Sequence, residues 1–102
     1  MTTKRKIKYG SKELEKDFGR LTFGKLLEAY RLADELSQKE FAKILGISQA
    51  SLCDLEKGRR IPSPERAALI ACKLKEPESY WVQLALQDQL NHVGLNLKVS
   101  VA

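Results

Sequence analysis

The chain is poor in the residues on which catalysis and metal binding rely. It has one histidine, His92, and two cysteines, Cys53 and Cys72. Two thiols and one imidazole fall short of the four ligands of a structural zinc site, so no metal is expected. Both cysteines are expected to be reduced thiols, as in other cytosolic chains. A redox role for Cys53 stays open because its expected position is exposed. There is no nucleophile with a neighbouring base, no paired carboxylate and no glycine-rich phosphate loop, so no catalytic residue, cofactor or enzymatic activity is expected. No apolar run approaches the ~20 residues needed to cross a bilayer. The basic N-terminus has no apolar stretch behind it, unlike a secretory signal. A cytoplasmic location without a membrane partner is the expectation.

What the chain does have is 102 residues, enough for one domain with a single core and little room for a separate ligand-sensing domain. The net charge is +5. Lys4, Arg5, Lys6, Lys8 and Lys12 account for all of it, and the remaining thirteen basic residues match the thirteen acidic ones. A basic arm is thus attached to a neutral body. Such an arm can follow a nucleic-acid backbone by releasing counterions, or it can be a solvated tail.

Residues 1–21 read as that arm and lead-in. Ile7 and Tyr9 alternate with lysines, which allows a short strand, and residues 12–18 could form a helical turn. Five helices follow. Phe23, Leu26, Leu27 and Tyr30 mark one face of the first, which runs to about Ala33 with Thr22 as its N-cap. Ser37-Gln38-Lys39-Glu40 is a capping box that starts the second, and Gly46 can end it in the left-handed conformation. Ser48 caps the third, which stops at Gly58. Ser63 and Pro64 open the fourth, whose stripe is Ala67, Ile70, Ala71 and Leu74. Pro77 opens the fifth, which runs to about Val93 before Gly94. Then the period changes: Leu95, Leu97, Val99 and Val101 alternate with polar or small residues, which predicts a strand in need of a partner.

The second and third helices have the residue types that two short, steeply crossing helices require. Phe41, Leu45, Ile47, Leu52 and Leu55 fall at the facing positions. Ala42 sits where the helices pass closest, and Gly46 sits in the turn, where positive φ is needed. On these residues, and on the run Glu56-Lys57-Gly58-Arg59-Arg60 followed by Ile61-Pro62-Ser63, the chain resembles the Xre family of Cro/repressor-type helix-turn-helix proteins over residues 22–75. The resemblance implies an all-α, five-helix fold. With the features read above, that gives a basic N-terminal arm (1–21), a DNA-binding domain (22–75) and a fifth helix with a C-terminal β-strand (76–102). It also implies that Gln38 touches a phosphate and braces the recognition helix, and that Arg31 forms a structural ion pair with Glu56.

The third helix is then the recognition helix. Gln49 lies at its tip, where base edges are reached in this motif. Gln49 can pair with adenine N6 and N7, Ala50 can pack on a thymine methyl, and Ser51 can donate to a base or phosphate. Asp54 could accept from cytosine N4, cap a backbone group or face solvent. Lys57, Arg59 and Arg60, with Lys39 and Lys43 on the second helix, are expected at phosphates, which set register and carry salt-dependent affinity.

The fifth helix has two apolar faces. Trp81, Leu84 and Ala85 can complete the core. Leu86, Leu90 and Val93, with Leu97 and Val99 of the strand, form a candidate surface for a second copy or another protein, unless the core is simply larger. A homodimer would read inverted repeats in double-stranded DNA. Small size, an apolar tail and a charged N-terminal segment make the chain most similar to the HigA-like antitoxins, which implies autorepression and a small toxin protein as partner. A stand-alone repressor of phage, plasmid or restriction-control type is the alternative. A module that binds protein or RNA is a third reading.

Overall fold

The computed structural model describes residues 21–100. The basic arm, its strand at Ile7 and Tyr9, its helical turn over residues 12–18, and Val101 lie outside the described residues. Five helices follow one another: α1 Phe23–Ala33, α2 Gln38–Leu45, α3 Gln49–Glu56, α4 Pro64–Lys73 and α5 Glu78–His92. None is long and apolar enough to cross a membrane.

Local chemistry sets the helix starts. The side chains of Thr22, Ser37, Ser48 and Ser63 each accept a hydrogen bond from the backbone N–H three residues on, which satisfies a donor the helix leaves free. At α2 the box is closed in both directions, because the Glu40 carboxylate accepts from Ser37 N–H at 2.9 Å. That bond holds the Glu40 carboxyl below its ordinary value. Gly46 has φ +74°, and the Lys73 ammonium donates to the carbonyl of Leu45 at 3.1 Å. α2 therefore ends on a left-handed glycine with a cation at its negative pole.

All five helices contribute to one core. Phe23 and Leu27 of α1, Phe41 and Leu45 of α2, Leu52 and Leu55 of α3, Ile70 and Ala71 of α4, and Trp81 and Ala85 of α5 are buried together. Trp81 meets Phe23 edge-on at 5.5 Å and Tyr30 at 6.2 Å, while Tyr30 stacks on Phe41 at 6.4 Å. The Tyr30 hydroxyl donates to the carbonyl of Leu74. Trp81 and Ala85 thus complete the core, as their face suggests, and Leu84 packs at its edge. Leu21, placed in the arm by its sequence, is buried at the foot of α1.

Two contacts that bring α1 to its place are long-range. Asp88, on α5, is buried, and its Oδ2 accepts from the backbone N–H of Phe23 at 2.8 Å. A carboxylate on the first turn suits both the free donor and the positive end of the helix. Gly24 supplies the second. A Cβ built there would lie 2.3 Å from the carbonyl oxygen of Leu55 and 2.9 Å from that of Glu56. Only a residue without a side chain lets α1 pass this close to the end of α3.

The expected C-terminal strand does not form among the described residues. Gly94, at φ +81°, turns the chain back along α5. The Gln87 amide donates to the carbonyl of Leu97 at 2.7 Å and its oxygen accepts from Val99 N–H at 2.8 Å. The Gln83 amide donates to the carbonyl of Val99 at 3.1 Å. Two glutamines one turn apart on α5 thus provide partners that a neighbouring strand would otherwise supply. The alternation does not bury a face either: Leu95 and Leu97 are exposed, and Val99 is only half-buried.

Candidate nucleic-acid interface

The tip of α3 is presented to solvent on a rigid mount. Ser48 caps the helix through Ser51 N–H at 3.0 Å, and the two serine hydroxyls are 2.9 Å apart. That leaves Gln49 and Ala50 exposed in the first turn and Ser51 half-buried beside them. Leu52 and Leu55 hold the opposite side of α3 in the core.

The far end of α3 is clamped to α1 and α2 by a polar knot. Glu56 has only 2% of its side chain exposed and Arg31 only 11%. Arg31 Nε and Nη2 donate to the two Glu56 oxygens at 2.8 and 3.1 Å. Gln38 Nε2 donates to Glu56 Oε1 at 2.9 Å, and Arg31 Nη1 donates to the carbonyl of Leu36 at 2.9 Å. The carboxylate therefore ties together the end of α1, the start of α2 and the end of α3. Its hydrogen bond holds the Arg31 guanidinium above the ordinary arginine value. Gln38 is only half-buried, so the residue that braces α3 also reaches the surface.

Beyond α3, Lys57, Arg59 and Arg60 are exposed, as are Lys39 and Lys43, one turn apart on α2. Asp54 does not stand free. Its Oδ1 accepts from Arg59 Nε at 2.9 Å. An open cleft beside the helix tip is lined by Gly46, Ser48, Ser51, Ser63, Arg66 and Lys73. The sequence reading gave Arg66 and Lys73 no site role. They are nevertheless legible as the basic residues of α4, three and ten positions after its cap Ser63. Among the described residues no cluster of His, Cys, Asp and Glu could hold a metal ion.

Residues 27–81, more than half of the chain, match the family described as Helix-turn-helix. The chain belongs to the Xre-type helix-turn-helix family. The match spans α2 and α3, two of the three helices that Glu56 ties together, and it reaches as far as Trp81. No curated protein and no solved structure matches the chain. Membership makes this helix-turn-helix protein a DNA-binding regulator of transcription.

The residues expected at a partner surface differ in exposure. Leu86 and Leu90 are half-buried, while Val93 and Leu97 are exposed by 66% and 59%.

Proposed function

We propose that this helix-turn-helix protein is a repressor that reads an inverted repeat as a homodimer, and that it is the antitoxin of a toxin–antitoxin pair acting in the cytoplasm. The observation that carries DNA reading is the exposed Gln49–Ala50 tip on a helix fixed at both ends. A reader so fixed spends little binding energy on ordering itself. Gln49 hydrogen-bonds an adenine edge, Ala50 and Ser51 pack and donate beside it, and Gln38, Lys39, Lys43, Lys57, Arg59 and Arg60 meet phosphates. Gln49→Ala is expected to weaken the cognate duplex by about 1–3 kcal/mol and to relax preference at one base pair. Arg60→Ala is expected to weaken all duplexes alike and to flatten the salt slope. Fluorescence anisotropy on cognate and scrambled duplexes reads both, and an unchanged base preference in Gln49→Ala would remove α3 from the role of reader.

The dimer and the toxin rest on the apolar outer face of α5 and on the tail beside it. Leu86, Leu90, Val93, Leu97 and Val99 offer a contact for a second copy or for a toxin, and Leu95 stands exposed beside them. Val93 is exposed, so Val93→Asp leaves the monomer fold alone and is expected to shift sedimentation toward monomer. Binding to a palindromic site is expected to fall steeply with it, because linked half-sites gain from effective concentration. A parent protein that is monomeric at tens of micromolar contradicts the dimer and leaves the surface to a different protein. A neighbouring gene without a toxin-like product favours the stand-alone repressor.

A further inference from the structure

The geometry points to Asp54 as a positioning residue, which aims the Arg59 guanidinium at a paired-acceptor group of DNA. The inference rests on α3 being the reader, and it concerns how the end of that helix meets the duplex.

The local fold brings the two residues together. α3 ends in a Schellman closure: Gly58, at φ +78°, donates to the carbonyl of Leu55 at 3.2 Å, and Arg59 N–H donates to the carbonyl of Asp54 at 2.9 Å. Arg60 N–H reaches the same carbonyl at 3.2 Å. This motif lays the residue after the glycine over the third residue from the helix end, usually in an apolar contact. Here those two residues are Arg59 and Asp54, and an ion pair replaces the apolar contact. Nε donates to Asp54 Oδ1 at 2.9 Å, and Nη2 donates to Cys53 Sγ at 3.4 Å.

Donor accounting gives the consequence. A guanidinium has five N–H groups in a planar fork. One edge is used by Asp54 and Cys53, which orients the plane. Both hydrogens on Nη1 and one on Nη2 have no partner among these bonds, and they include the end-on pair that fits two oxygens or the guanine edge. The Arg59 side chain is 57% exposed against 34% for Asp54, so the arginine lies further out. Exposed ion pairs add little to stability, and a carboxylate near DNA is unfavourable unless its charge is used. Aiming Arg59 uses it. The paired acceptors are either the oxygens of one phosphate or O6 and N7 of one guanine.

The sign of one substitution tests this. Asp54→Ala removes the negative charge together with the acceptor of Arg59 Nε, and leaves the backbone closure intact. Electrostatics alone makes that variant bind DNA more tightly. Positioning makes it bind roughly tenfold more weakly, and the loss disappears when Arg59 is already alanine. The experiment measures affinities of the full chain and of Asp54→Ala, Arg59→Ala, Arg59→Lys and the Asp54→Ala/Arg59→Ala double variant. The probe is a duplex selected by the parent from random sequence, with single-base changes of it, and each variant's melting temperature serves as a control. Arg59→Lys keeps the charge without the fork and is expected to lose nearly as much as Arg59→Ala. A loss confined to duplexes with guanine at one position assigns the fork to that base. An equal loss on every duplex assigns it to a phosphate. Tighter or unchanged binding by Asp54→Ala overturns the inference, as does a loss that adds to that of Arg59→Ala, which would make Asp54 a base reader in its own right. A parent that binds no duplex defeats the DNA-reading account as well, whereas a parent that binds while Asp54→Ala does not weaken it defeats this inference alone.

Discussion

Glu56→Ala is expected to destabilise the protein by about 3–5 kcal/mol, because it strands the Arg31 guanidinium in a nearly closed site. The carboxylate accepts three hydrogen bonds, two from Arg31 and one from Gln38, and alanine leaves all three donors without their acceptor. Thermal melting of the variant reads the loss. In a domain of this size each kcal/mol moves the midpoint by roughly 4–8 °C. Replacing both Arg31 and Glu56 by methionine removes the stranded charge and is expected to recover much of the stability. DNA affinity is expected to stay low in that double variant, since the hydrogen bonds that hold the end of α3 to α1 and α2 are then gone. A Glu56→Ala protein that melts with the parent contradicts the structural role of the pair.

Trp81→Ala is expected to cost about 3–5 kcal/mol, the range for emptying a large buried aromatic site. Trp81 is 1% exposed and meets rings of α1 on two sides. The loss therefore reaches beyond α5 to the placement of α1 and, through Gly24, of α3. A chain cut after residue 75 is expected to lack a cooperative transition in denaturant, because it loses Trp81, Ala85 and Asp88 at once. A truncated chain that unfolds cooperatively with the parent's midpoint contradicts the single core and makes α5 a separable appendage.

The parts of the fold legible in the sequence are those whose chemistry is local. Thr22, Ser37, Ser48 and Ser63 cap their helices from three residues away, and Gly46 and Gly58 take positive φ where the helices stop. α1 ends at Ala33, where its apolar stripe suggests, but neither α1 nor α4 has a glycine to close it. Glu35 and Lys75 take φ of 57° and 58° without being glycines, and the closure holds because Leu36 and Glu76 donate back to Arg31 and Ala71. The role of Asp88 is not legible in the sequence, because its partner, Phe23 N–H, lies 65 residues away. That of Gly24 is not legible either, because a glycine inside a helical stripe carries no sign of what passes beside it. The alternation after Gly94 resembles a strand, yet the side chains of Gln83 and Gln87 engage its backbone first. At the interface, the exposed tip and the basic residues after α3 follow from spacing. The engagement of Asp54 depends on the turn at Gly58, which spacing along a helix does not show.

Selection of bound sequences from a random duplex pool by the full chain tests the account most directly. The expected result is enrichment of one inverted repeat with half-site centres about 34 Å apart, one turn of DNA. Affinity for the enriched duplex should fall linearly with log salt, and the enriched bases should change when Gln49 is replaced. A pool that stays random, with no salt-dependent affinity for any duplex, contradicts the assignment of α3 as a reader of DNA.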